Sequence, residues 1–150
     1  METLQTLLEH AEGQRNTALA AFNQARARRD AARDQAAQLA AYRTDYQRRW
    51  QAQFQQGGAA LAVLRCYQQF NERLDVAIAQ QAHGVEVCEG ALARANDLLA
   101  AHELRVASVR KLIERRLAEQ RRDGERREQK DNDEWAQRIV QRQRASKVNA

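Results

Sequence analysis

The chain has 150 residues, a net charge of +5, 30% charged residues, 5% aromatic residues and no proline. Its alanine, glutamine, arginine and glutamate content belongs to long helices or coiled coil and excludes a globule built around a sizeable central core. The basic excess suits an acidic protein surface, a nucleic acid or an anionic membrane, and does not choose among them.

The opening METLQTLLEHAEG carries no basic segment and no uninterrupted apolar run, so no secretory signal is expected. No stretch approaches the roughly 20 apolar residues that span a bilayer, and the expected compartment is the cytoplasm. Cys66 and Cys88 stand 22 residues apart on one expected helix. That is about 33 Å of helical rise, far outside disulfide reach. With no CxxC and three scattered histidines, the thiols read as free, and no metal or other cofactor is expected.

Helix one is expected over about residues 4–54. Thr6 with Glu9 offers a capping box, with Thr3 or the chain terminus as alternative starts. Apolar positions then recur at three- and four-residue steps, from Leu4, Leu8, Ala11 and Ala18 to Leu39, Tyr46 and Trp50. Small residues fill most of this seam, and Arg15, Arg29 and Arg43 fall into the same series, so the seam is expected to be interrupted there. The only double glycine, Gly57-Gly58, follows, and six of the eight aromatic residues crowd around it. Paired glycines supply the positive φ through which a helix cannot continue, so residues 55–58 read as a bend.

Helix two is expected from about residue 59, paired with helix one as far as 113. Its seam is richer, with Leu64, Tyr67, Leu74, Ile78, Val85, Cys88, Leu92, Leu99, Val106, Val109 and Ile113 in the same rhythm. Folding about residue 58 sets Leu39 level with Ala77, Tyr42 with Leu74 and Tyr46 with Phe70. Helix one then runs out of partner at Ile113. From Glu114 to Glu134, 15 of 21 residues are charged. A lone helix can be polar all round, so 114–145 is expected as an unpaired, charged overhang. The fold class is all-α: a single domain over 1–150, a long two-helix antiparallel coiled-coil hairpin with a C-terminal helical overhang, in a monomer.

No catalytic pattern accompanies this layout. Glycine-rich phosphate loops, HExxH and GxSxG are missing, and a two-helix rod offers no water-poor pocket. The expectation is a protein that is not an enzyme and has no small-molecule substrate. Two surfaces stand out. Near the bend, Gln35, Leu39, Tyr42 and Tyr46 on helix one meet Phe70, Leu74, Ala77 and Gln81 on helix two. Leu39, Tyr46 and Leu74 fit the seam, while Tyr42, Phe70 and Ala77 sit one position off it, and the pattern leaves core and binding surface both open. The second is the charged segment ending in EQKDNDEWAQRIV, where Trp135, Ala136 and Ile139 make a small apolar stripe.

At these two surfaces the sequence resembles the FliJ family of bacterial flagellar type III export components. The matching features are Tyr42 and Tyr46 spaced Y-x-x-x-Y, the glycine break, YQQF at 67–70 followed by Leu74 and Ala77, and EQKDNDEWAQR. The resemblance implies an antiparallel coiled coil similar to the central stalk of rotary ATPases. It implies a non-enzymatic, cytoplasmic role, peripherally associated with the inner-membrane export apparatus and serving motility. That role is to promote export ATPase ring assembly and turnover, link the ring to the membrane export gate, and escort export chaperones. The gate's cytoplasmic linker would then bind Gln35, Leu39, Tyr42, Tyr46, Phe70, Leu74, Ala77 and Gln81. The similarity to the rotary stalk also turns the end with both termini toward the ATPase, through Leu4, Leu7, Leu8, Trp135 and Ile139. Two other readings stand beside it, a stalk protein of an injectisome and a basic coiled-coil arm that grips nucleic acid. Against the second, the arginines are interleaved with acidic residues along the sequence.

Overall fold

The computed structural model describes residues 1–58 and 60–149. They form two helices, α1 (Glu2–Gly57) and α2 (Leu61–Val148), packed against each other, with no strand among the described residues. Packing divides the chain into two compact units, Met1–Ala11 with Leu104–Ala150, and Glu12–Glu103.

The ends of the helices differ from those expected of the sequence. α1 begins at Glu2, where the Gln5 N–H donates to the Met1 carbonyl at 3.0 Å. Thr6 caps nothing. Its Oγ1 donates to the Glu2 carbonyl one turn back, at 3.0 Å, from inside the helix. At its other end α1 runs past Phe54 through Gln55, Gln56 and Gly57. Glutamine propagates a helix well and the first glycine stays in it, so the break falls only at Gly58, with φ +58°. Ala59, the expected start of helix two, lies outside the described residues. The Ala60 carbonyl accepts from the Val63 and Leu64 N–H groups at 3.0 and 3.2 Å, which opens α2. α2 then continues to Val148, three residues beyond the expected end.

In the unit Glu12–Glu103, partners across the seam rise in number on α1 as they fall on α2. Arg33 meets Glu89, Gln35 meets Gln81, Arg43 meets Asp75, Tyr46 meets Phe70 and Gln47 meets Asn71. Two helices in contact can run this way only if antiparallel. Each seam position named from the sequence in this unit is buried or half-buried, including Arg15, Arg29 and Arg43. The seam closes because size alternates across it. Alanines of α1 stand level with large residues of α2, as buried Ala18 does with buried Leu99. Gln81, a polar member of the seam, is satisfied locally, its Nε2 donating to the Ala32 carbonyl at 3.1 Å.

In the other unit, Leu4, Val109 and Ile113 form a buried cluster with Leu8 packed against it, and Ala11 and Val106 are also buried. Beyond Ile113 no described residue is buried, and only Ala118 and Ile139 are half-buried. Among the described residues no ion pair lies in this stretch. It is the continuation of a helix past the end of its seam.

Two glycines are expected to respond in opposite directions. A Cβ at Gly84 meets nothing within 4 Å, so neither a bend nor a close contact requires that glycine. Gly84→Ala should stabilise by about 1 kcal/mol, whereas Gly58→Ala, at positive φ, should destabilise by a similar amount. Urea midpoints followed by circular dichroism check both signs.

Candidate partner-binding surface

Labelling the seven-residue repeat a to g, with the seam at a and d, separates the two sides of the hairpin in the unit Glu12–Glu103. One flank is lined by the e columns and is closed by polar pairs. Arg33 donates to Glu89 from both Nε and an Nη, at 3.2 and 2.7 Å. Arg43 Nε lies 2.6 Å from Asp75 and Gln47 Nε2 donates to Asn71 at 3.3 Å. The two ion pairs are partly or largely exposed, and each contributes somewhere between 0 and about 1 kcal/mol, while the Gln47–Asn71 bond is half-buried. Their main effect is to tie the e flanks of the two helices to each other.

The opposite flank, lined by the g columns, is the one that carries the residues singled out near the bend. Tyr46, a seam residue, lies at the centre of an aromatic group. Its ring lies 4.7 Å from Phe70, 5.6 Å from Tyr67, 6.2 Å from Trp50 and 6.3 Å from Tyr42. Trp50, Phe54 and Tyr67 complete the group, with centroids 5.3 to 5.8 Å apart. Such pairs add about 0.5–1.5 kcal/mol each beyond the area they bury.

The eight stripe residues divide by what they touch. Leu74 is buried, and Leu39, Tyr46, Ala77 and Gln81 are half-buried, so these hold the hairpin together. Gln81 Nε2 also lies 3.4 Å from Gln35 Oε1. Tyr42 and Phe70 stand at 51% and 36% exposure, and Gln35 is exposed. Beside Tyr42 an open depression of about 460 Å³ is lined by Gln35, Gln38, Leu39, Tyr42 and Gln81. The surface is therefore a shallow apolar strip with amide groups along it, backed by a rigid aromatic layer. It suits an extended or helical segment of another protein rather than an enclosed small molecule.

The second set of predicted residues does not come together. Leu4 is buried with Val109 and Ile113, Leu8 packs on them, and Leu7 is exposed. Trp135 lies 22 residues past Ile113 on α2, about 33 Å along the helix, and is 66% exposed, with Ile139 half-buried one turn on. Among the described residues, no group of three or more His, Cys, Asp or Glu is placed to hold a metal ion. Cys66 and Cys88 are both free. Also among them, no helix is long and apolar enough to cross a membrane.

The sequence pattern names the stripe but does not reveal the polar closure of the other flank. The signal is present, since Arg33 and Glu89 both fall in the e column once the seam is fixed. The division within the stripe predicts a clean separation. Tyr46→Ala should cost about 2 kcal/mol of stability, because four ring contacts go with it, while Tyr42→Ala should cost less than about 1 kcal/mol. Urea unfolding of the two variants measures the difference.

A family model described as "Flagellar FliJ protein" matches residues 1–145, nearly the whole chain. Neither a curated protein nor a solved structure matches it. The match takes in α1, the bend, the aromatic stripe and α2 to within three residues of its end. The chain belongs to the FliJ family and is a component of the flagellar type III export apparatus.

Proposed function

We propose that this protein is the stalk-like coiled coil of its export apparatus, a non-enzymatic cytoplasmic protein that joins the export ATPase to the membrane export gate. In this reading it promotes assembly and turnover of the ATPase ring, binds the gate's cytoplasmic linker, and escorts export chaperones. Its association with the inner membrane is peripheral and runs through the gate.

The observation that carries the reading is the exposure of Tyr42 and Phe70 on a hairpin whose other aromatic residues near the bend are half-buried. An aromatic side chain left half in water beside a rigid layer adds little to folding and a good deal to binding. Gln35, with Gln81 held by it and by Ala32, offers amide groups for a peptide backbone alongside. The exposed Trp135, with Ile139 one turn away, offers a second and separate anchor, which we assign to the ATPase together with exposed Leu7, while Leu4 and Leu8 are taken up in the cluster with Val109 and Ile113.

The test is binding of a purified fragment carrying the gate's cytoplasmic linker, followed by fluorescence anisotropy. Tyr42→Ala combined with Phe70→Ala should weaken binding by about tenfold or more, since about 1.4 kcal/mol corresponds to each factor of ten. The circular dichroism of the double variant should match the parent. Unchanged binding in a folded double variant would remove the stripe from the gate interface.

A further inference from the structure

Charge is sorted between the two flanks of the unit Glu12–Glu103 in a way that counting along the sequence hides. Of the six carboxylates of α2 in this unit, Glu72, Asp75, Glu86, Glu89 and Glu103 fall in the e and b columns, and Asp97 points away from the seam. The g and c columns of α2 carry none. There Val87 and Leu98 stand at 55% and 53% exposure, with Arg94 between them. On the same flank α1 contributes Arg28 and one carboxylate, Asp45, which Arg49 holds at 2.7 Å. The register that sets Arg33 against Glu89 places Arg28 level with Arg94, on opposite lips of this flank.

Arg49 of this flank is held by Asp45, and on the other flank Arg26 and Arg65 have, among the described residues, no ion-pair partner. Arg33 and Arg43 pair with carboxylates across the seam. Among the described residues, Arg28 and Arg94 have no ion-pair or hydrogen-bond partner. An exposed apolar strip edged by unpaired cations, with no carboxylate to answer them, is complementary to one kind of surface. That surface is apolar along its middle and acidic along its margins.

We infer that the g flank from Gly84 to Leu98 takes an acidic amphipathic helix of a partner protein as a third strand against the hairpin. The partner's apolar stripe lies on Val87, Ala91 and Leu98, and its carboxylates reach Arg94 on one side and Arg28 on the other. The g column of α2 repeats every seven residues, which is the spacing that another helix can follow. Gly84 leaves open space at the head of this strip, so a helix approaches there without a clash. A nucleic acid fits less well, because a phosphate backbone needs a row of cations and gains nothing from the apolar column. The site lies beyond Gln81 and stands or falls separately from the gate reading.

The probe is a fluorescein-labelled synthetic peptide of about four heptads, with leucine at its a and d positions and glutamate at e and g. A second peptide carries lysine in place of each glutamate. The full-length protein should bind the glutamate peptide about tenfold or more tighter than the lysine peptide. Arg28→Glu with Arg94→Glu should reverse that preference, and Leu98→Gln should weaken binding of the glutamate peptide about tenfold. Arg26→Glu with Arg65→Glu, the same charge change on the other flank, should leave the preference in place. Circular dichroism confirms that each variant is folded. Equal binding of the two peptides, no binding of either, or a preference that survives the reversal at Arg28 and Arg94 would each overturn the assignment. Displacement of the peptide by a single-stranded oligonucleotide, lost in the reversed variant, would overturn it in favour of nucleic acid.

Discussion

A hairpin of two helices has one seam, and each helix can bury only two of its seven columns in it. That limit governs the rest of the molecule. Alanine on α1 and larger residues on α2 fill the seam between them, as Ala18 and Leu99 do, so the seam itself buries only a modest apolar area. Compared with a leucine seam, each missing buried CH₂ forgoes about 0.8 kcal/mol. The hairpin must therefore draw on secondary contacts, and it does so in two ways. Near the bend it stacks aromatic residues around Tyr46, and along one flank it ties the helices with Arg33–Glu89 and Arg43–Asp75.

Those contacts leave the two flanks unlike each other. The e flank is acidic, and arginines of α1 answer Asp75 and Glu89 on it. The g flank keeps Tyr42, Phe70, Val87 and Leu98 in water and, among the described residues, leaves Arg28 and Arg94 without ion-pair partners. Exposed ion pairs are worth little in stability, so the e-flank pairs matter chiefly for register and for keeping that side engaged with itself. In the unit Glu12–Glu103, one side engaged with itself and one open side suit a surface that lies along something else. The proposed gate and helix-docking surfaces occupy successive stretches of the same open side.

Much of this is legible in the amino-acid sequence. The three-four rhythm locates the seam, but Arg15, Arg29 and Arg43, which read as interruptions, are half-buried in it, since their long stems can lie in a seam while their head groups reach its edge. The composition change at Glu114 marks where burial stops, because a column with no partner loses its reason to be apolar. Other features are not legible there. Thr6 has the spacing of a cap, but a threonine one turn inside a helix makes an equally good bond to the carbonyl behind it. The double glycine suggests a break before Gly57, although only the second glycine takes positive φ. The stripe near the bend cannot be divided from pattern alone, since Tyr42 and Tyr46 are the same residue four positions apart. Their separation depends on where the partner helix lies in three dimensions. The sorting of charge between the flanks is hidden because arginine and glutamate alternate along the chain even when they sit on different faces of the helix.

The same seam limit explains the stretch of α2 beyond Ile113, where the described residues are exposed or half-buried and Trp135 stands among charges. A helix that continues with no partner of its own is consistent with a surface kept for another protein, and the proposed stalk role assigns that protein as the export ATPase. The most direct measurement is ATP turnover by the cognate ATPase alone, with the full chain, and with a chain ending at Ile113. The account predicts stimulation by the full chain and none by the shortened one. Equal stimulation by both, or no effect of the full chain on an ATPase shown to be competent, would contradict it.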